Sequence, residues 1–284
     1  MYKIKKCSEV SDSLIFKAFE DGFADYMIQM KMDEAFFIDR FFGPEGNDRA
    51  LSFIAFKEGK PVGVTLGGMK TDENFKTLRC GGMAVIPEER GTGLAKTLME
   101  HHEKIALEIG CRQLFLEVID GNDRAISFYK KIGYEKVYNL TYRTLEWEGR
   151  NPFALEDGSV QNRVEPAFLM DIERLRKMDY SHLPWQGSFD YFMRLACHYY
   201  GIKDKGQMIA GIVATKNRVF YLWVHPEYRQ KGYAKALISR AVTDLESEGL
   251  RITYANNSEV HTFANHCKME IDPISQLEMY KWLG

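Results

Sequence analysis

The sequence predicts a mixed α/β protein made of two tandem copies of one domain. Three observations predict it: the length, an internal repeat held at constant spacing, and β-rich and helical patterns that alternate around each copy of the repeat. At 284 residues the chain exceeds the roughly 100–150 residues of one compact domain. The stretches GGMAVIPEERGTGLAKTLMEHHEKIALEIG (Gly81 to Gly110) and FYLWVHPEYRQKGYAKALISRAVTDLESEG (Phe220 to Gly249) agree residue by residue. Pro87 pairs with Pro226, Arg90 with Arg229, Gly93 with Gly232, Ala95 with Ala234, Leu98 with Leu237 and Gly110 with Gly249, always 139 positions apart.

Taken in order, helical segments are expected around Ser11 to Phe23 and Asp33 to Phe42. LSFIAFKEGKPVGVTLGGM then alternates and turns at Glu58-Gly59-Lys60-Pro61, which reads as a hairpin. In each copy of the repeat an apolar β-forming run meets a proline, a glycine-bearing turn follows, and an amphipathic segment ends at glycine. That is strand, loop, helix. Leu94, Leu98, Ile105 and Ile109 share one helical face in the first copy, as do Leu237, Ala241 and Leu245 in the second. CRQLFLEVID is a strand, DRAISFYKKIGY a short helix closed by Gly133, and EKVYNLTYRTLEW a final strand or strand pair. The turn-rich WEGRNPFALEDGSVQNR reads as a linker, giving a first domain over residues 1–148, a linker over 149–162 and a second domain over 163–284.

With 45% hydrophobic residues, 27% charged residues and a net charge of −2, the composition is that of an ordinary globule and argues against nucleic acid as a partner. No run nears the roughly 20 apolar residues that cross a bilayer, and MYKIKKCSEVSDS lacks a secretory apolar stretch, so a cytoplasmic protein without a membrane partner is expected. Cys7, Cys80, Cys111, Cys197 and Cys267 are scattered, which predicts reduced thiols. His261 and His266 stand five apart with no completing ligand, so no metal is expected.

The turns Arg90-Gly91-Thr92-Gly93-Leu94-Ala95-Lys96 and Arg229-Gln230-Lys231-Gly232-Tyr233-Ala234-Lys235 place glycine where a strand hands over to a helix. Free amides and the dipole at a helix start favour an anion, a pyrophosphate is the natural occupant, and the flanking arginine adds charge. The dinucleotide fingerprint fails because Lys96 stands where its last glycine belongs, and the triphosphate-binding loop is absent.

PEERGTGLAKTL and PEYRQKGYAKAL resemble the R/Q-x-x-G-x-G/A motif of the GCN5-related N-acetyltransferase (GNAT) family, twice along the chain. LEVIDGNDRAISFYKKIGY likewise resembles the LEVxxxNxxAxxLYxxxGF segment of the N-terminal acetyltransferases acting on ribosomal proteins. The resemblance implies two domains, each with a central, mostly antiparallel mixed sheet flanked by helices. It further implies acetyl-CoA as cosubstrate, its pyrophosphate on the amides of Arg90 to Lys96 and its pantetheine arm along Met83, Ala84 and Val85. Asn122 would touch coenzyme A, Glu117 would be the general base and Tyr129 the general acid.

Glu117 also stands out by itself, as a lone carboxylate in the apolar strand Leu114 to Ile119, where burial raises a carboxyl's affinity for protons. An alkylammonium near pKa ~10.4 must lose a proton before attacking a thioester, and a departing thiolate, with parent thiol near ~8.5, gains from a donor. In the second copy Ala264 falls at the tyrosine position, Lys268 at the glycine, and Ile252 or Asn256 at Glu117. Trp223, Val224 and the turn Arg229 to Lys235 are a second candidate cofactor site, serving structure or regulation, or the second half is a wall for the first half's substrate. The family places its acceptor under the N-terminal helices, so Asp25 and Glu34 would hold a cationic amine, with Tyr26, Met27, Met30 and Met32 lining an apolar channel. The expected function is acetyl transfer to a primary amine of a small molecule or peptide; the alternative is a non-catalytic acyl-CoA sensor or scaffold.

Overall fold

The structure, a computed structural model, describes residues 1–72, 74–155 and 158–284. The first copy runs β1 (Lys3–Lys6), α1 (Asp12–Gly22), α2 (Glu34–Phe41), β2 (Asn47–Lys57), β3 (Lys60–Asp72), β4 (Phe75–Val85), α3 (Leu94–Glu108), β5 (Gln113–Ile119) and α4 (Asp123–Lys131). β6 (Glu135–Glu146) ends the first copy, and the second runs α5 (Gly158–Gln161), β7 (Val164–Pro166), α6 (Leu169–Arg176), α7 (Phe189–Met193), β8 (His198–Asp204), β9 (Gln207–Thr215), β10 (Arg218–Val224), α8 (Tyr233–Asp244), β11 (Gly249–Ala255), α9 (Val260–His266), β12 (Glu270–Ile271) and β13 (Gln276–Trp282). Both expected N-terminal helices form, α2 capped by Asp33, whose carboxylate accepts from Phe36 N at 2.8 Å. The hairpin β2–β3 turns where expected, with Glu58 and Gly59 at positive φ.

The chain folds into two compact units, residues 1–137 with 277–284, and residues 138–276. This division differs from the expected domains of 1–148 and 163–284. The cause lies in the ladders: β6 pairs with β11 from Leu140↔Ala255 to Glu146↔Gly249, and β13 lies beside β5. Each copy thus gives its final strand to the other unit. The expected linker is also packed rather than free. Phe153 is buried in the second unit's core, and Asn151 Nδ2 donates to Ser239 Oγ at 3.1 Å and Thr243 Oγ1 at 3.2 Å. Glu156 and Asp157 of that segment lie outside the described residues.

In the first unit the strand order is β1-β2-β3-β4-β5-β13, with β4 and β5 parallel and β1 to β4 antiparallel to one another. α3 and α4 cover one face through Leu94, Leu98, Met99, Ile105, Ile126 and Tyr129, and α1 and α2 cover the other through Ile15, Ala18, Phe19 and Phe37. α3 carries the predicted apolar stripe and stops at Gly110, where the N–H groups of Gly110 and Cys111 return to Leu107 O and Ala106 O at 3.0 and 2.8 Å. The second unit repeats the plan in the order β6-β11-β10-β9-β8-β7, with β10 and β11 parallel. α8 and α9 lie on one core cluster and α6 and α7 on the other.

Candidate active site

β4 and β5 keep parallel register only from Thr77↔Gln113 to Cys80↔Leu116, whereas β4 stays paired with β3 as far as Val85↔Gly63. The two central strands therefore part after Cys80. Among the described residues no strand pairs with Gly81 to Val85 on the β5 side, which leaves Met83, Ala84 and Val85 as an open backbone edge. The β3–β4 ladder slips by one residue at the fork, and Gly81 sits in that bulge. It must be glycine, because a Cβ there would lie 2.1 Å from Asn47 Oδ1, and Asn47 is itself held by Phe41 O at 2.8 Å.

At its open end β4 leads through Pro87–Glu89 into the predicted turn. Gly91 and Gly93 take φ of 78° and 93°, and Gly93 caps α3 without any side-chain hydrogen bond. No acidic residue stands in the first helical turn, and Gly91, Thr92, Gly93 and Lys96 are exposed, so the amides of Leu94, Ala95 and Lys96 face outward uncapped. The turn is instead braced from outside. Thr92 Oγ1 donates to Glu89 O at 2.6 Å, Tyr2 donates its hydroxyl proton to the Glu89 carboxylate at 2.5 Å with Thr92 Oγ1 2.9 Å from the same hydroxyl oxygen, and Lys57 pairs with Glu89 at 2.6 Å. Lys57 and Tyr2 hold the Glu89 carboxyl below its ordinary range.

Two expectations about charge are corrected here. The Arg90 guanidinium, expected to add positive charge for an anion, binds Val85 O, Gly22 O and, through both terminal nitrogens at 2.6 Å, the carboxylate of Asp25. Asp25, expected to hold an amine, is thereby engaged, and Arg90 keeps its carboxyl below the usual range. The pair ties the C-terminal end of α1 to the cofactor turn. Sequence reading missed this because the partners are 65 residues apart.

Tyr129 is 7% exposed on α4 and packs against Tyr134 with ring centroids 5.8 Å apart. Burial first, then Cys80 and Tyr26, push its hydroxyl well above the usual tyrosine value, so it keeps its proton at any physiological pH. Tyr26 is half-buried and is likewise pushed up by burial, with the Asn122 side chain opposing. Tyr26, Asn122 and Tyr129 are thus brought together, whereas Met27 is 56% exposed and Met30 and Met32 pack beneath α1 and α2. Asn122 also caps α4, its Oδ1 accepting from Ala125 N at 3.2 Å.

Glu117 is the first residue of β5 past the fork, and its setting differs from the expectation. It is not alone: Arg79 Nη2 donates to Glu117 Oε2 at 2.6 Å, and both side chains are under a tenth exposed. Arg79 Nη1 donates to Glu45 Oε2 at 2.9 Å, so one buried guanidinium joins two buried carboxylates. An arginine inside the run Leu78 to Val85, with no other charge in it, was the available signal. Arg79↔Phe115 register puts Arg79 and Glu117 on one face of the sheet.

The second unit keeps the turn and loses the cleft. Gly232 (φ 82°) caps α8, Gln230 holds a positive φ of 60° where the first unit has Gly91, and Arg229 Nε donates to Val224 O at 3.1 Å as Arg90 does to Val85 O. Lys231 Nζ donates to Glu227 O, Tyr233 lies under Arg163, and Ala234 and Lys235 open the helix. Parallel pairing ends at Val219↔Ile252. Beyond it Phe220, Tyr221, Leu222 and Trp223 replace Gly81, Gly82, Met83 and Ala84, and Asp179 with Ser181 to Pro184 lies across from Phe220, Tyr221 and Leu222 around a cavity of about 20 Å³. That is room for one water. The register also places Thr253, rather than Ile252 or Asn256, at the position of Glu117. Ala264 does stand at the tyrosine position: Met269 N bonds Ala264 O as Tyr134 N bonds Tyr129 O, both at 3.0 Å.

The sequence profile of the acetyltransferase (GNAT) family matches residues 15–134 and 166–267. A GCN5-related N-acetyltransferase from Sphaerobacter thermophilus is 11% identical over 99% of this chain and 95% of its own, with a TM-score of 0.68. One from Kribbella flavida is 14% identical over 100% and 71%, with a TM-score of 0.64. A tandem GNAT protein from the clavulanic acid biosynthesis pathway is 12% identical over 100% and 98%, with a TM-score of 0.63. At these identities the likeness is one of fold.

Proposed function

The chain belongs to the acetyltransferase (GNAT) family, and from that premise we propose that its first unit transfers an acetyl group from acetyl-CoA to a primary amine on a small molecule or peptide. The observation that carries the proposal is the uncapped start of α3 beside an open strand edge. Bare amides at a helix start suit a pyrophosphate, and an unpaired edge of small residues suits an extended amide-bearing arm. Arg90 to Lys96 would hold the first, with Met83, Ala84 and Val85 beside the second and Asn122 at its flank.

When bound, acetyl-CoA supplies a thioester carbonyl for direct attack. Glu117 takes the proton from the attacking ammonium, directly or through a water, and Tyr129 gives its phenolic proton to the departing sulfur. A buried hydroxyl that never ionises near neutrality suits the second role. Tyr26, beside Asn122 and Tyr129, forms the acceptor's wall. All five cysteines are free thiols, and among the described residues no helix is long and apolar enough to cross a membrane, which supports a reaction in the cytoplasm.

A thiol-release assay with acetyl-CoA and a panel of primary amines, run beside calorimetric titration with acetyl-CoA alone, tests the reading. Release with at least one amine is expected. Tight binding with no release for any amine would make the protein an acyl-CoA sensor, and no binding would remove the proposal.

A further inference from the structure

We infer that Arg79 is a positioning residue for the Glu117 base, holding one carboxylate oxygen so that the other faces the parted strands, with Glu45 anchoring Arg79 from behind. The inference rests on the base assignment proposed above.

Arg79 sits one residue before the end of the β4 edge that remains paired to β5, and Glu117 is the first β5 residue beyond that pairing. Its Nη2 engages Oε2, one of the two Glu117 carboxylate oxygens, at 2.6 Å. Its Nη1 engages Glu45 Oε2 at 2.9 Å and Glu45 O at 3.4 Å, while Arg40 lies 3.9 Å from the other Glu45 oxygen. A planar guanidinium held at both terminal nitrogens has little rotational freedom, so the orientation it gives Glu117 is fixed. A base must hold a lone pair towards its proton, and misplacement by about 1 Å costs about 10²-fold.

A purely structural role would need the fold to demand the whole set, and the second unit shows that it does not. Arg218 occupies the slot of Arg79, yet it donates to the neutral Gln186 and lies 4.7 Å over the Phe220 ring, with Thr253 in place of Glu117. The strand slot accepts an arginine without carboxylates. Burying three charges is costly where neutral partners suffice, so the carboxylates of the first unit answer to something besides stability.

The test is a double-mutant cycle on the full chain, reading thiol release from acetyl-CoA with the fastest acceptor among glycinamide, glucosamine and spermidine. Arg79→Gln should lower kcat by about 10²-fold in the otherwise unaltered protein and by less than about twofold in the Glu117→Gln background. KM for acetyl-CoA should stay within about twofold in every variant. Glu45→Gln, which keeps an acceptor for Arg79, should lower kcat about fivefold, again only when Glu117 is present, and serves as the cycle's second arm if Arg79→Gln folds poorly. Equal losses in both backgrounds would overturn the positioning role alone. Unchanged turnover in Glu117→Gln by itself would instead remove the base assignment, and this inference with it.

Discussion

The two forks, β4/β5 in the first unit and β10/β11 in the second, share backbone and differ in what fills them. Both follow a parallel ladder that stops early, a bulge just beyond it, a turn with two positive φ angles, and a helix capped by glycine. In the first, glycines, methionine and alanine leave the edge open. In the second, Phe220 to Trp223 are buried there, with Asp179 and Ser181 to Pro184 against them. The comparison teaches that a cofactor turn is necessary and insufficient. The helix-capping glycine is kept as Gly232 even where side chains close the groove, and Gln230 takes the other positive φ, because the strand-to-helix reversal still needs it.

The largest way to break the comparison is to remove the chemistry. Glu117→Gln and Tyr129→Phe should each lower kcat by about 10²- to 10⁴-fold in thiol release, while Thr253→Glu and Ala264→Tyr in the second unit should add no activity. A measurable gain from the latter pair would mean the closed fork opens.

A stability contrast follows from His102, which is fully buried on α3 where the second unit has Ala241. Burial, weakly opposed by the Leu78 backbone, lowers its imidazole to about 4. The unfolded chain takes up this proton near pH 6.5 and the folded chain only near 4, so acidification through that window favours unfolding. The expected loss is about 3 kcal/mol between those limits. His102→Ala should flatten that part of the stability–pH curve in denaturant titrations, and an unchanged slope would dismiss the histidine as its source.

Smaller is the effect on cofactor affinity. An alanine at φ near 90° is strained by about 1–2 kcal/mol, so Gly93→Ala should raise KM for acetyl-CoA about tenfold. Gly232→Ala should leave it unchanged, and calorimetry should find one acetyl-CoA per chain. Two equal sites would contradict the closed second fork. The finest test is of constancy. Because the Tyr129 hydroxyl is held well above 10, the ratio of wild-type to Tyr129→Phe rates should not vary between about pH 7 and 9.

Much of this was legible in one dimension. Periodicity located α1, α2, α3 and the β2–β3 hairpin, since each depends on neighbours within a few residues. Repetition at one spacing identified the two copies, and loss of the tyrosine at Ala264 followed from alignment alone. Glu117 was legible as a carboxylate in an apolar strand, but its partner was not, since Arg79 reaches it only across a parallel ladder.

What the amino-acid order determined by itself, then, was the set of local elements, their duplication, and the glycines that turn strand into helix, all fixed by steric and hydrophobic rules acting over short spans. Only the tertiary structure decided which strand completes which unit, that Arg90 spends its charge on Asp25, and that one fork stands open while the other is filled. Those outcomes depend on residues far apart in sequence meeting in space, and on the volume left between them, which no local pattern encodes.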